Sequence, residues 1–379
     1  AIDLETKDPE LTKMGSGSVT NKGEVVGIAV AVEGWCGYYP IAHGGGGNMD
    51  KNMVLKWFQD VLNTKADKVF HNAMYDVCWI RSMGLNIRGK IIDTMIAAAL
   101  CDENQLRYDL NTCARRYTGQ SKDESALYAA AKEWGIDPKG EMYKLPAMYV
   151  GQYAEKDASI TLQLWQYLKS EIDNQDVESI FDLETELFPC LVDMRFLGVR
   201  VDVEAAHTLK KKLLGEEQSA LLSVKKETGI DTQIWAARSI AQVFEKLKLP
   251  YDRTEKTQAI IKHSHKGRIH AEINQLRGDN GGTVTGRFSY SNPNLQQIPA
   301  RNKELGPMIR SLFIPEDKHT WGVFDYSQQE PRLVVHYAAL QNLYGVEDVL
   351  DSYNNNPDAD FHTIVADMAN IPRSQAKTI

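Results

Sequence analysis

The sequence lacks the features that mark a membrane protein, a disulfide-bonded protein or a zinc protein. Its longest clean apolar run is residues 95–100, far short of the roughly 20 residues that cross a bilayer, so no membrane partner is expected. The five cysteines are an odd, widely spaced set without a C-x-x-C pair. That spacing argues against a disulfide framework or a zinc knuckle and favours a reducing cytoplasm.

Two further signals are missing. The amino-terminal residues show no basic segment followed by an apolar one, so no secretory signal is predicted. The glycines at 44–47 are not followed by Gly-Lys-Ser/Thr, which favours a flexible turn over a phosphate-binding loop. With 379 residues and 43% hydrophobic residues, the chain can still bury a large core, and two or three domains are expected.

Negative charge predominates, which by itself argues against a nucleic-acid partner. The formal net charge is −8, from 43 Lys and Arg against 51 Asp and Glu, whereas phosphate binding favours basic surface. Residues 251–310 are an exception, with ten Lys and Arg against five Asp and Glu, a local charge of +5 that leaves −13 on the rest. This basic segment predicts a local polyanion site, and some acids elsewhere are candidate metal ligands.

Hydrophobic periodicity predicts an α/β region followed by a mostly helical one. β-branched residues at 25–32 predict a strand meander over residues 1–40, and residues 321–324 predict a buried strand ending at Asp325. The polar residues 174–176 are the predicted domain boundary, and residues 278–299 are predicted to be a long irregular segment. Helical spacing predicts helices at 51–62, 72–83, 145–172, 181–196 and 328–341.

Paired polar residues in the first region could hold divalent cations. Asp3 and Glu5 alternate along a predicted strand, so both carboxylates leave the same face. Asn72 and Asp76, and likewise Tyr153 and Asp157, are four residues apart on predicted helices. Oxygen ligands of this kind suit Mg²⁺ or Mn²⁺, which can support phosphodiester hydrolysis. Each spacing recurs elsewhere in the chain, so a solvated face or a helix cap is the alternative for any single pair.

Taken together, in their order along the chain, the three pairs are a more specific signal than any single pair. A first strand with Asp-x-Glu, then His-Asn-Ala-Met-Tyr-Asp at 71–76, then Tyr-Ala-Glu-Lys-Asp at 153–157 resembles the DEDDy 3′→5′ proofreading exonucleases. The resemblance implies a ribonuclease H-like domain over residues 1–175 with two metal ions. It gives His71 no catalytic role, so packing or hydrogen bonding is expected there. The implied metal ligands are Asp3, Glu5, Asp76 and Asp157, and Tyr153 is implied to orient the attacking water.

Three segments of the second half carry a stronger signal. Residues 283–301 place Arg287 in a loop dense with amides and hydroxyls, which could contact sugars, phosphates and minor-groove acceptors without demanding a base sequence. Residues 324–332, Phe-Asp-Tyr-Ser-Gln-Gln-Glu-Pro-Arg, place one carboxylate before a predicted helix and another in its first turn. Arg373 and Lys377 are four apart and could grip a triphosphate. The alternatives are a polar surface loop and a solvated charge pair.

In this order the segments resemble family A, DNA polymerase I-like enzymes, and Gln329 and Pro331 resemble their tailed-phage branch. The resemblance implies that Asp325 ligates catalytic metals, two Mg²⁺ per active site with Mn²⁺ as an alternative, and that Glu330 excludes a ribose 2′-hydroxyl. It also implies residues that contact the DNA duplex and residues that bind the incoming dNTP. These are Arg287, Asn294 and Gln296 for the duplex, and Glu330, His362, Arg373 and Lys377 for the dNTP.

The resemblance predicts an incomplete polymerase. The family continues with Asn-Phe-Gly and a tyrosine, and later with a His-Asp-Glu motif, neither of which occurs here, so this chain alone is not expected to polymerise. Intervening helix is scarce near Thr257, which indicates a shortened thumb or missing residues. No long thumb insertion is present, so a thioredoxin partner is not predicted.

The fold class expected is therefore α/β for an exonuclease domain at 1–175, followed by a partial polymerase domain at 176–379. The latter would comprise a mostly α thumb at about 176–280, an incomplete α+β palm at about 281–360 and the start of the fingers at about 361–379. Expected partners are primer-template DNA, single-stranded 3′ ends and dNTPs, in the cytoplasm, or in an infected bacterial host if the chain is phage-encoded. Two alternatives remain open: a stand-alone DEDD exonuclease with an accessory domain, and a catalytically silent DNA-binding half that needs a second polymerase chain.

Overall fold

A computed structural model describes residues 1–105, 107–122, 124–233, 237–247, 263–276, 283, 286–298, 305–356 and 359–376. The chain forms two compact units, residues 1–314 and residues 315–379. Over these described ranges, no helix is both long enough and apolar enough to cross a membrane. Parts of the predicted basic segment lie outside the described residues, including the region near Thr257.

Up to residue 175, the described residues form five strands and seven α-helices. The elements are β1 (Ile2–Lys7), α1 (Leu11–Met14), β2 (Glu24–Val32), β3 (Trp35–Pro40), α2 (Lys51–Leu62), β4 (Lys68–Phe70), α3 (Ala73–Ser82), β5 (Ile91–Asp93), α4 (Thr94–Cys101), α5 (Leu110–Thr118), α6 (Ser125–Trp134) and α7 (Ala147–Asn174). The predicted meander and the helices at 51–62, 72–83 and 145–172 are confirmed to within a few residues. The predicted α/β class is confirmed for this region.

The meander is antiparallel, in the order β1-β2-β3, and Asp3 of β1 lies opposite Ala29 of β2. One face carries the apolar residues Ile2, Leu4 and Ile28 into a core shared with Phe58 and others. Strands β4 and β5 are parallel to each other, and α3 follows β4 directly. The 28-residue helix α7 packs along β1, β2 and β3.

Residues 178–314 continue the same compact unit with helices and short strands. The elements are α8 (Glu178–Leu197), β6 (Val199–Arg200), α9 (Val203–Thr228), α10 (Ala237–Leu247), β7 (Ser264–His265), β8 (Arg268–Ile269), β9 (Glu272–Asn274), β10 (Ser289–Ser291) and α11 (Leu305–Arg310). Helix α8 ends at Gly198, whose φ of +62° favours a residue without Cβ. The predicted helix at 181–196 and the extended segment after it are confirmed. Part of the predicted irregular segment is a strand, because β10 pairs with β9.

The second unit is helical over its described residues: α12 (Gln329–Leu340), α13 (Val346–Asn355), α14 (Phe361–Ala369) and α15 (Arg373–Ala376). The predicted helix at 328–341 is confirmed, with Pro331 in its first turn, where a missing N–H leaves no helical acceptor unpaired. The prediction of a buried strand at 321–324 is wrong. Val323 and Phe324 are 88% and 96% exposed and pair with no described strand. A strand requires a neighbour for its backbone bonds, and apolar residues alone do not supply one.

Candidate exonuclease site and polymerase segments

Four of the residues predicted for the exonuclease site line a single cavity of about 370 Å³. They come from two elements that are far apart in sequence: Asp3 and Glu5 from β1, and Tyr153 and Asp157 from α7. His71, Arg107 and Lys122 contribute further polar surface to the same cavity. The cavity therefore combines carboxylates, a phenol and cationic groups, as a site for a phosphate ester would require.

Strand β1 presents its two acids because of the alternation of the pleat. Ile2 and Leu4 are buried in the core, and the residues between and after them, Asp3 and Glu5, line the cavity. The pairing of β1 with β2 is regular up to Glu5, opposite Gly27, and shifts immediately afterwards. A bulge at this position ends the regular ladder next to the site, which is a common place for such irregularities.

Helix α7 reaches the strands because small residues lie between them. Ala29 and Ala31 of β2 pack with Ala154 and Ala158 of α7, and all four are fully or almost fully buried. Side chains of this size allow a helix and a sheet to approach closely, which brings the neighbouring Asp157 to β1. Tyr153 lies one helical turn earlier and lines the same cavity, and burial, followed by the charge of Asp157, raises the pKa of its phenol above the usual range.

Asp76 occupies a different place from the other predicted ligands. It lies in the first turn of α3, and its Oδ1 accepts a hydrogen bond of 2.9 Å from the backbone N–H of Leu4, between the two acids of β1. It is buried and does not line the cavity. In this structure Asp76 fixes α3 to β1.

Asp93 is a residue of this region that the sequence patterns missed. Its carboxylate accepts bonds from the backbone N–H groups of Asn72 at 3.0 Å, Ala73 at 2.8 Å and Met95 at 2.9 Å. It therefore caps α4 and also holds the start of α3, where Asn72 has a left-handed φ of +65°. Burial raises the pKa of Asp93 to about 6.

The site concentrates negative charge in a place with little water. Burial, followed by repulsion from Asp157, raises the pKa of Asp3 to about 7. Burial and the nearby Asp3 raise the pKa of Glu5 and of Asp76 well above their usual ranges. Such a set of carboxylates destabilises the fold when it is ionised and uncompensated, which is typical of functional sites.

Lys122 compensates part of this charge, and the sequence patterns did not identify it. Its ammonium group forms an ion pair with Asp157 Oδ2, and the two side chains are only 12% and 5% exposed. It lies 5.2 Å from the centre of the Tyr153 ring. Attraction to Lys122 also opposes the rise in the pKa of Asp3 and Glu5. No periodic pattern pointed to this residue, because it lies in the loop between α5 and α6.

The donor chemistry fits a divalent cation such as Mg²⁺. The second oxygen of Asp157, Oδ1, is buried and has no hydrogen-bond partner, and Asp3 and Glu5 offer further carboxylate oxygens at the same cavity. Within the described ranges, no three His, Cys, Asp or Glu side chains already form a group that could hold a metal ion. The ammonium group of Lys122 binds Asp157 Oδ2, one of the oxygens that such a group would need.

The segments predicted for dNTP binding are joined by Gln328. Its side-chain Nε2 donates to Ala359 O at 2.6 Å, and its Oε1 accepts from Phe361 N at 2.6 Å. These bonds hold the start of α12, which carries Glu330, beside the start of α14, which carries His362. The family resemblance implies no role for Gln328, and the structure shows that it connects the two helix starts.

The other predicted polymerase residues are less constrained. Arg373 donates from Nε to Asp360 Oδ2, and the other oxygen of Asp360 accepts from the backbone N–H of His362 at 3.2 Å, so Arg373 is held at the start of α14. Asp325 lies in the exposed stretch before α12, and Lys377 lies outside the described residues. Their roles in metal and dNTP binding stay predictions.

The loop predicted to contact the duplex is shaped by its own polar side chains. Asn294 Oδ1 accepts from Gln296 N at 3.0 Å and caps a short 3₁₀ turn, and Gln296 Nε2 donates to Phe288 O at 3.0 Å. Arg287 is exposed on this loop, and its carbonyl accepts from Thr283 Oγ1 at 2.6 Å. Contacts of these three residues with DNA stay a prediction.

His71 has the hydrogen-bonding role expected of it. Its Nε2 donates to Tyr108 O at 2.8 Å, and its Nδ1 lies 2.9 Å from Thr94 Oγ1. Burial lowers the pKa of His71 to about 4, so the ring stays neutral at physiological pH.

This shift predicts a pH-dependent contribution to stability. Because the unfolded His71 binds a proton below about pH 6.5 and the folded one does not, its contribution is lost as the pH falls from about 6.5 to 4. We expect the unfolding free energy of the wild type, relative to His71→Asn, to decrease by about 2 kcal/mol between pH 7 and pH 5. Urea unfolding at the two pH values measures this, and the same change at the exposed His207 is the control. If the free energy of unfolding of His71→Asn falls as much between pH 7 and pH 5 as that of His207→Asn, the prediction is contradicted.

The two parts of the chain match two different protein families. Residues 1–173 match a 3′-5′ exonuclease family. Residues 173–379, more than half of the chain, match DNA polymerase family A. The chain belongs to DNA polymerase family A. The residues predicted for the exonuclease site therefore lie in the part that matches the exonuclease family, and those predicted for DNA and dNTP binding lie in the part that matches family A.

Similar proteins include phage enzymes. A DNA-directed DNA polymerase of Pseudomonas phage M6 is 34% identical over all of this chain and 65% of its own length. DNA polymerase DpoZ of Acinetobacter phage SH-Ab 15497 is 29% identical over 86% of this chain and 61% of its own. DNA polymerase I of Pseudomonas aeruginosa is 28% identical over 96% and 43%, respectively. The predicted phage resemblance is confirmed, and the family A chain spans 61–65% of these phage relatives.

A solved structure supports the fold. The POL domain of Pol1 from M. smegmatis, in a complex with DNA primer-template and dNTP, superposes with a TM-score of 0.67 at 20% identity. The match covers 94% of this chain and 64% of the other. The predicted order of an exonuclease fold followed by a polymerase fold is therefore confirmed.

Proposed function

We propose that residues 1–175 form a 3′→5′ exonuclease that removes nucleotides from single-stranded DNA 3′ ends. The observation that carries the proposal is the convergence of Asp3, Glu5, Tyr153 and Asp157 on one cavity. Their separation in sequence makes a merely solvated set improbable, since four such residues would not be expected to meet by chance. The match of residues 1–173 to a 3′-5′ exonuclease family supports it.

The residues have distinct parts in this proposal. Asp3, Glu5 and Asp157 would hold Mg²⁺ or Mn²⁺, with Asp76 behind them. The bound metal ions would supply activation of water and stabilisation of charge on the phosphate. Tyr153, which lines the cavity together with Asp157, would orient the water for attack on the terminal phosphodiester.

We propose that residues 176–379 supply part of a DNA polymerase. Arg287, Asn294 and Gln296 would contact primer-template, and Asp325 would hold catalytic Mg²⁺. Glu330, His362, Arg373 and Lys377 would form the dNTP site. The link from Gln328 to the backbone around Asp360 supports this, because it places the start of α12 beside that of α14. Catalysis would rest on positioning and on the metal ions.

We propose that the whole protein polymerises DNA. Its proposed location is the cytoplasm of its host cell, which is an infected bacterium if the chain is phage-encoded.

In the second unit, one face of α12 is apolar and exposed, including Val334, Tyr337 and Leu340 at 62–66% exposure. We propose that this face packs against further polymerase sequence, in the same chain or in a second chain. Primer extension by a mixture with a chain that starts at Asn-Phe-Gly tests the second case, and no extension by the mixture would exclude it.

The exonuclease proposal predicts a defined effect of removing one hydroxyl. Tyr153→Phe is expected to lower the rate of 3′-end hydrolysis by about 10- to 100-fold, because the ring remains and only the group that positions water is lost. The assay follows release of a labelled 3′-terminal nucleotide from single-stranded DNA in Mg²⁺. The matched control is Tyr149→Phe, a half-exposed tyrosine one turn away on α7. Equal rates for both variants would refute the role of Tyr153.

A further inference from the structure

The ion pair between Lys122 and Asp157 uses an oxygen that the proposed metal site needs. Asp157 presents two oxygens: Oδ2 is bound by Lys122, and Oδ1 is buried without a partner. Both side chains are almost completely buried, so water screens the pair little. A divalent cation shared by Asp157 and the acids of β1 therefore competes with the ammonium group of Lys122.

The loop that carries Lys122 is anchored to α7 and to α5. Gln120 hydrogen-bonds through Nε2 to Gln163 and accepts from Lys156 Nζ at 2.9 Å. The backbone N–H of Lys122 lies 3.4 Å from Asn111 Oδ1, at the start of α5. Because the backbone is held while the long side chain can rotate, the ammonium group can leave Asp157 without moving the loop.

The bound ammonium group stands next to open space. In its ion-paired position it lies 5.2 Å from the centre of the Tyr153 ring, and the cavity beside it is lined by Asp3 and Glu5. A side chain that neutralises acids in the absence of metal, and can move aside when metal enters, would lower the cost of keeping buried carboxylates together.

We propose that Lys122 is a displaceable counter-ion, which occupies Asp157 until a divalent cation binds and so sets the metal affinity of the site. This inference rests on the proposed exonuclease function. In this role Lys122 is a positioning residue for Asp157, since it acts through that carboxylate.

Metal binding tests the proposal directly. Isothermal titration with Mn²⁺ is expected to give about tenfold tighter binding for Lys122→Met than for the wild type, since a charge-assisted hydrogen bond no longer has to break. Lys122→Gln should behave likewise, and Lys122→Arg, which keeps the charge, should remain close to the wild type. The matched control is Lys156→Met, a neighbouring lysine that binds Gln120 instead of Asp157.

Two results of this titration would overturn the proposal. One is Mn²⁺ affinity of Lys122→Met and Lys122→Gln equal to or weaker than that of the wild type. The other is the same gain in Lys156→Met, which would reduce the effect to general charge. Absence of Mn²⁺ binding in every protein would remove the proposed exonuclease function as well, so the two failures are distinguishable.

A measurement on the wild type avoids any effect of substitution on folding. Limited acetylation with acetic anhydride, followed by mass spectrometry, reports how accessible each lysine is. Saturating Mn²⁺ is expected to raise acetylation of Lys122 severalfold and to leave Lys156 unchanged. Unchanged or reduced acetylation of Lys122 with Mn²⁺ bound would overturn the proposal.

Discussion

Replacing both Asp3 and Glu5 with alanine is expected to lower the rate of 3′-end hydrolysis by about a thousandfold or more. Two of the three carboxylates that are proposed to hold the metal ions are then gone, so the site would lose most of its ligands. The release of a labelled 3′-terminal nucleotide in Mg²⁺ measures the loss. A double variant that cleaves as fast as the wild type would contradict the assignment.

The same double variant should be more resistant to heat than the wild type in a chelating buffer. Burial and repulsion from neighbouring carboxylates raise the pKa of both carboxyl groups, so near neutral pH their ionisation destabilises the folded protein. Thermal unfolding with and without chelator measures this. The matched control is Asp182→Ala with Glu184→Ala, the same Asp-x-Glu spacing on α8, where Asp182 pairs with Lys90 at 2.8 Å. That control should leave hydrolysis unchanged.

Arg195→Met is expected to lower the free energy of unfolding by about 3–5 kcal/mol, because it leaves a largely buried carboxylate without its cation. Arg195 Nη2 contacts Glu272 Oε1 at 3.1 Å, and the side chains are 5% and 17% exposed. Urea unfolding measures the loss. The control is Lys212→Met, whose exposed pair with Glu216 at 3.7 Å should contribute at most about 1 kcal/mol. Equal losses in the two variants would contradict the prediction.

Glu272 gives this ion pair a wider structural role. It also accepts from Ser16 N at 2.9 Å, in the exonuclease region, and from Asn292 Nδ2 at 2.9 Å, beside the loop predicted to contact the duplex. Glycine is favoured at position 15, since its φ of +83° strains other residues and a Cβ there would lie 2.7 Å from Glu272 Oε1. One carboxylate thus joins three segments that are distant in sequence, and its loss should loosen all three.

Local sequence patterns predicted the elements that carry the exonuclease site. The β-branched run at 25–32 and the periodicity of 145–172 were sufficient for β2 and α7, since each pattern is set by burial of one face. The meeting of Tyr153 and Asp157 with Asp3 depended on family resemblance. The close packing of Ala29 and Ala154 that permits it is a tertiary property, which no single segment specifies.

The errors and omissions have the same physical origin. Residues 321–324 are apolar enough for a buried strand, yet apolar character cannot supply the neighbouring strand that burial requires. Lys122 and Asp93 form long-range contacts from a loop and from a short strand, so periodicity gives no indication of them. Gln328 acts through backbone groups more than 30 residues away, which spacing alone cannot show.

The most direct test of the central claim is to locate bound metal. Crystals of the protein soaked in Mn²⁺ and measured by anomalous scattering are predicted to show a peak within bonding distance of carboxylate oxygens of Asp3, Glu5 and Asp157. Such a peak would establish that β1 and α7 together form the metal site. Mn²⁺ bound elsewhere, with no peak between these three carboxylates, would contradict the account.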